Sequence, residues 1–363
     1  MNRAEVRLKM KCAGTRLLNQ YKIHNREKLW RFLIKQKIDG DKLSEEQVKL
    51  IYHFYKPYYP RITSMFHEWY FEKCGNFDVN YIPSDLYFCY IDPYFNNWEH
   101  AEFVGNKCMY DVLFEGVKQP ETVAFRMNGM WFDHLRQKIE YEEVWRKLAE
   151  ESEIFIKIAT DSFGGHGVYY YSIPDAKEDI SEKIGQIRED IMIQRPVKQH
   201  PSLARLNDSS VNTIRIMSFL ANDGVRILSR IVRIGQAGSK VDNASSGGLT
   251  CGITEKGILK KYAYNQKGDR VEEHPDSHII FENIKINGIE KIEQLIQIIH
   301  CRLPHFRLIS WDFSVDEKGD PVLIEANINY GGIEIQQLNN GPLFGNETKE
   351  ILEEVFKTKR NRV

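Results

Sequence analysis

Near the C-terminal end of this 363-residue chain, Asp312, Glu325 and Asn327 stand within SWDFSVDEKGDPVLIEAN, residues 310–327. Glu325 and Asn327 are two apart, a spacing that points both side chains to one face of a strand. Alternating apolar runs at 309–315 and 321–326 flank the turn signal Glu317-Lys318-Gly319-Asp320, so the stretch reads as a β-hairpin. If Asp312 shares the face of Glu325, three oxygen donors converge. Two carboxylates and an amide oxygen are hard ligands that suit Mg²⁺ better than zinc or copper. A magnesium site with so few protein donors takes its remaining oxygens from substrate phosphates. A solvated hairpin with acids on its polar face would look the same, so the residues upstream decide.

Those residues can bind phosphate. Lys157 lies in a strand-like run, 154–158, followed by Ser162-Phe163-Gly164-Gly165-His166-Gly167 and a second run, 168–172. Glycines let backbone N–H groups close on phosphate oxygens, and a lysine at the strand end adds charge. The setting is a loop between antiparallel strands, not the strand-to-helix turn of a dinucleotide or P-loop motif. A plain β-turn fits it equally well. A further hairpin, 211–220 with 225–235 across Asn222-Asp223-Gly224, carries Arg215, Arg230 and Arg233. Arginines gathered near phosphate act as clamps. Lys107 opens a short helical stretch. His166 reads as a loop contact and His200 as structural, and no Ser-His-Asp or Cys-His set is evident.

The elements that must position these groups are legible in outline. Residues 1–38 hold eleven Lys/Arg against two acids, interleaved with apolar residues, and read as one or two amphipathic helices. Such helices can dock on anionic membranes, although a packed appendage with a basic solvated face is the favoured expectation. Residues 40–75 are expected to be helical, starting at the capping box Ser44-Glu45-Glu46-Gln47, with their aromatics in a core. Residues 77–100 look irregular, and from about 104 the pattern is mixed: strand at 121–126, turn at Asn128-Gly129, helix at 141–150. Residues 241–252 are expected to form a Gly-rich loop, 289–302 a helix, 330–344 an irregular segment and 347–359 a closing helix. A net charge of −1 gives no pull toward nucleic acid. Six scattered cysteines without CxxC spacing suit reduced thiols, and no run reaches transmembrane or signal-peptide character, so the expectation is a cytoplasmic protein.

The order Lys107, Lys157, Gly164-Gly165-His166-Gly167, Gln194 to Val197, Arg215 and Asp312…Glu325-x-Asn327 resembles the ATP-grasp superfamily. Within it, the chain is similar to the sugar-transfer-associated group. The matching residues are YIPSDLYFCYIDPYFN at 81–96, Gln199-His200-Pro201, SVNTIR at 210–215, Asp242-Asn243, Gly247-Gly248, Trp311-Asp312 and Glu325-Ala326-Asn327. The resemblance covers about residues 77–345 and implies an α+β ATP-grasp fold, two lobes holding the nucleotide between antiparallel sheets. The small glycine-loop lobe would span about 120–195, with a helical region at 1–76 and a closing helix at 346–363. It implies that Lys107, Lys157 and the loop Gly164, Gly165, His166 and Gly167 hold ATP phosphates, and that Gln194, Arg195 and Val197 lie beside the adenine. Relatives often carry an acid in that hinge. Asp312, Glu325 and Asn327 would hold Mg²⁺, with Arg215, Lys157 and Arg233 as catalytic cations. The implied activity is an ADP-forming carboxylate–amine (or thiol) ligase in surface polysaccharide or glycoconjugate assembly, with small-molecule, sugar-linked substrates. A sugar kinase and a non-catalytic nucleotide-binding module are the rival expectations.

Overall fold

A computed structural model describes residues 20–40, 42–160, 167–173, 176–236, 238, 247–329 and 331–357. The chain divides into two compact units, Met1–Tyr94 with Gly341–Val363, and Phe95–Asn340. The described part of the first is helical: 20–35, Glu45–Tyr55, Met65–Cys74 and Thr348–Lys357. Ser44 caps the second of these helices with the reciprocal Gln47 bond that the sequence signalled. The aromatics of this region are core. Tyr55, Tyr59, Phe66, Trp69 and Tyr70 are buried, and Tyr70 stacks on Tyr81 at 4.3 Å.

Residues 77–100 are not irregular. Short helices Ser84–Leu86 and Asp92–Phe95 flank a π-helical turn, Tyr87–Ile91. Tyr87, Phe88, Ile91 and Phe95 are buried, so the aromatic density that hid the helical period also drives this segment into the interior.

The second unit is built on two antiparallel sheets. The smaller has six strands, β1 (Thr122–Met127), β2 (Met130–Asp133), β3 (Lys138–Ile139), β4 (Glu153–Ile158), β5 (Val168–Ser172) and β6 (Ile191–Gln194), in the order β3-β2-β1-β6-β4-β5. Alternation gives it two unlike faces. Ile154, Ile156, Ile191 and Ile193 pack on Val144 and Leu148 of helix Tyr141–Leu148 and on Ile180 and Ile184 of helix Lys177–Gln186. Phe125, Lys157 and Gln194 belong to the other face.

The larger sheet contains β7 (Thr213–Ala221), β8 (Gly224–Ile234), β9 (Leu249–Ile253), β10 (Leu259–Tyr264), β11 (Arg270–Val271), β12 (Leu308–Val315) and β13 (Pro321–Asn327), in the order β11-β10-β9-β8-β7-β12-β13. One face packs Ile214, Ile216, Val232, Trp311 and Phe313 against Ile292 and Ile296 of helix Ile289–Ile299. The expected loop at 241–252 divides: 241–246 lie outside the described residues, and Leu249–Gly252 belong to buried strand β9. Small residues are needed there, because a Cβ on Gly252 would stand 2.9 Å from the Asn339 carbonyl. The expected irregular stretch at 330–344 contains helix Ile333–Asn340, whose buried Gln336, Gln337 and Asn339 conceal its inward face from a hydrophobic pattern.

At the far edge, β13 has outer backbone groups of Leu323 and Ala326 covered. Leu323 N–H donates to Lys118 O at 2.9 Å, and the Tyr110 hydroxyl accepts from Ala326 N–H at 3.0 Å and donates to Ala326 O at 3.3 Å. Buried Asn96 donates to Leu308 O and Ile328 O and accepts from Leu308 N–H. The five described cysteines, Cys74, Cys89, Cys108, Cys251 and Cys301, are free. No helix among the described residues is long and apolar enough to cross a membrane.

Asn96 ties the start of β12 to the segment leaving β13, which makes it a sharp test of this packing. Asn96→Ala strands three buried backbone groups and should lower unfolding free energy by about 2–4 kcal/mol in a denaturant titration. Asn96→Asp should cost at least as much, since it sets a carboxylate against two carbonyls.

Candidate functional site

The larger sheet's second face carries the charges. Register places Asp312 opposite Glu325 on one side and opposite Arg215 on the other, and Arg215 opposite Ile231, two residues before Arg233. The hairpin is irregular between Asp312 and Phe313: Phe313 pairs with Leu323, so Ile324 is an extra residue on β13. Without that bulge, Leu323 and Glu325 would share a face. With it, Leu323 stays in the core while Glu325 and Asn327 join Asp312.

Asp312 is 2% exposed and held from three directions. Arg215 Nε and Nη2 each lie 2.6 Å from its two carboxylate oxygens, a bidentate pair. Arg233 Nη1 adds a bond of 3.1 Å, and Asn327 Nδ2 approaches to 3.4 Å. Burial pushes the Asp312 carboxyl up, but Arg215, then Arg233 and Asn327, outweigh it and hold it below the usual carboxylate range. Arg230 belongs to the opposite face and pairs with Glu293 of helix Ile289–Ile299.

Glu325 meets Lys107 Nζ at 2.7 Å. Lys107 sits on a tight turn, Lys107–Met109, capped by Asn106 and tied to the end of β4 through Lys107 N–H to Ala159 O at 2.9 Å. That bond links the lysine to the smaller sheet, from which Lys157 approaches. Lys157 Nζ donates to Gln194 Oε1 at 2.9 Å. Gln194 Nε2 is turned to Pro120 O and Thr122 Oγ1. Burial, then the Lys107 ammonium, lowers the Lys157 pKa to about 8 against the opposing pull of Glu325. A glutamine orients this lysine without neutralising it, so its charge stays available to an anion.

The structure thus brings Lys107, Lys157, Arg215, Arg233, Asp312, Glu325 and Asn327 into one cluster, with Gln194 at its margin. It engages Arg195 elsewhere: the guanidinium binds Glu151 and Glu121, and the Arg195 N–H donates to Glu121 O. Val197 follows Pro196 in the extended segment after β6. Gly164, Gly165 and His166 lie outside the described residues, as do Asp242 and Asn243. Gly167 closes on β4, its carbonyl accepting from Ile158 N–H, with φ +80° and a built Cβ only 3.1 Å from Ile158 Cβ. His200 is structural, capping the turn Pro201–Ala204 through Ser202 N–H. Sequence reasoning missed Tyr110, whose hydroxyl brackets Ala326 between two of the donor residues; a position three after Lys107 was its only signal.

The donor set fits magnesium. Among the described residues no three His, Cys, Asp or Glu gather. What converges is two carboxylates and an amide whose nitrogen donates to Ser310 O at 3.0 Å, leaving the amide oxygen for another partner. Such a set needs phosphate oxygens to complete a shell.

The family model described as "Sugar-transfer associated ATP-grasp" matches residues 89–353. Among curated proteins nothing matches. Solved structures similar to the chain include an L-amino acid ligase from Bacillus licheniformis (14% identity, TM-score 0.38, 71% of this chain and 48% of that one). Another is a D-alanyl-alanine synthetase A from Vibrio cholerae (16% identity, TM-score 0.41, 70% and 64%). The chain spans about half the length of the first and under two-thirds of the second.

The low Lys157 pKa has a measurable consequence. Between about 8 and the ordinary 10.5, the unfolded chain holds a proton that the fold has released, so stability rises with pH across that window. Below about 8 the cost of the buried ammonium is fully present. The melting temperature of Lys157→Met relative to wild type should therefore be highest near neutral pH and decline toward pH 10.5. A difference independent of pH would show that Lys157 titrates normally.

Proposed function

This chain belongs to the sugar-transfer-associated ATP-grasp family, and on that premise we propose that it is an ATP-dependent, ADP-forming ligase that joins a small carboxylate to an amine or thiol. The observation that carries this reading is the meeting of Lys107 and Lys157 with the Asp312–Glu325–Asn327 oxygens in one cluster. A polyphosphate needs cations on one side and a metal-binding acid set on the other.

A carboxylate is a poor acylating agent until activated. Attack of its oxygen on the γ-phosphorus of ATP forms a C–O–P linkage and releases ADP. The amine nitrogen then attacks the acyl carbon, phosphate leaves with the bonding pair, and the amine loses a proton. Both steps require alignment and charge neutralisation, and neither requires a protein nucleophile. Lys157 and Lys107 would draw the phosphate oxygens. Arg215 and Arg233 would steady the transferring group while holding Asp312 ionised. Asp312, Glu325 and Asn327 would hold Mg²⁺, which when bound neutralises phosphate charge. The loop Gly164, Gly165, His166 and Gly167 would cover the phosphates and exclude water from the acyl phosphate. The hinge Gln194, Arg195 and Val197 would lie beside the adenine, with the Arg195 guanidinium left to its two glutamates. We further propose a sugar-linked carboxylate or amine and a cytoplasmic setting in surface polysaccharide or glycoconjugate assembly, a reading that the family's association with sugar transfer supports.

Nucleotide product analysis tests the reading. With Mg-ATP, pooled sugar and amino acids and pooled amines, ADP and free phosphate should appear only when both acid and amine are present. AMP would overturn the acyl-phosphate route, and ADP with a phosphorylated sugar and no free phosphate would make the protein a kinase. Glu325→Gln removes one metal-binding charge while keeping its shape, and turnover should fall by about a hundredfold or more. Wild-type turnover in that variant would remove Glu325 from the site.

A further inference from the structure

Helix 20–35 has two apolar sides, and among the described residues only one is packed against the rest of its unit. Its inner side is anchored within the helical unit. Glu27, 1% exposed, accepts bonds from the Tyr59 and Tyr90 hydroxyls and from Arg61. Arg31 Nε binds Asp85 at 2.7 Å, and Trp30 stacks on Phe88 at 4.3 Å. Its outer side carries Tyr21, Leu29, Phe32 and Leu33, which are 42–63% exposed although large and apolar. At 3.6 residues per turn they lie on one side of the helix, with Lys28 and Lys35 along one flank and Lys22 between Leu29 and Leu33. Contiguous exposed apolar surface of this kind marks an interaction site.

Charge decides the partner. Glu27 is the helix's one acid and it is turned inward, so the outer side, which also carries Asn25, holds lysines and apolar residues and no acid. Residues 1–38 hold eleven Lys/Arg against two acids, whereas the remaining 325 residues hold 39 against 49. A symmetric contact between two copies of this face would set lysines against lysines. An anionic bilayer accepts both features, aromatic and aliphatic side chains at the acyl boundary and lysines among the headgroups. We propose that the outer face of helix 20–35 docks the protein on anionic lipid membranes, a property independent of the ligase reading.

Flotation of the full chain with vesicles tests this. The protein should bind phosphatidylcholine vesicles containing phosphatidylglycerol, not phosphatidylcholine alone, and release as salt rises. Leu29→Gln with Phe32→Gln should weaken partitioning by about tenfold or more, and Lys22→Gln with Lys28→Gln and Lys35→Gln by about a hundredfold. Both variants should keep the wild-type melting temperature and Mg-ATP binding, which separates lost docking from lost folding. No partitioning at low salt, or equal partitioning by the variants, overturns the proposal. So does a wild-type dimer in light scattering that Phe32→Gln dissociates, which would make a second copy the occupant.

Discussion

Asp312 and Glu325 stand directly opposite each other on adjacent strands, on a largely buried face. Like charges so placed repel, and desolvation makes each costlier. Cations meet both members of the pair, and the topology supplies them. The order β8-β7-β12-β13 sets Arg215 beside Asp312 and brings Arg233 within reach from one strand further. Lys107, arriving from before the smaller sheet, meets Glu325. The bulge at Ile324 sets this electrostatic problem, and sheet order and the approach of Lys107 answer it.

The smaller sheet contributes the complementary half. Its alternation buries isoleucines on one face and leaves Lys157 on the other, next to a neutral amide rather than a carboxylate. The acids of the larger sheet each meet a cation, Asp312 its arginines and Glu325 Lys107, while Lys157 bonds a neutral amide and its pKa is lowered to about 8.

Much of this was legible in the sequence because it depends on local rules. The turn at Asn222-Asp223-Gly224, the capping box at Ser44 and the period-2 placing of Glu325 and Asn327 all appear where those rules put them. The bulge at Ile324 was not legible, since VLIEAN reads as regular alternation and only pairing with β12 reveals the extra residue. Strand β9 and helix Ile333–Asn340 were missed for one reason: their interiors hold glycine, threonine, glutamine and asparagine, whose burial depends on tertiary partners. Tyr110 was hidden because a hydroxyl's use of a strand edge leaves no periodic trace.

That covered edge also bears on assembly. With Tyr110, Lys118 and Asn96 occupying outer groups of β13 and its exit, and the two-residue β11 at the other end, the described residues of the larger sheet offer no long row of unpaired amides. Growth by strand addition, whether by a second copy, an extended peptide or an aggregating segment, meets a closed border at β13 and a very short one at β11. The described edges of this sheet thus leave its faces and loops, rather than its ladder, as the surface it presents.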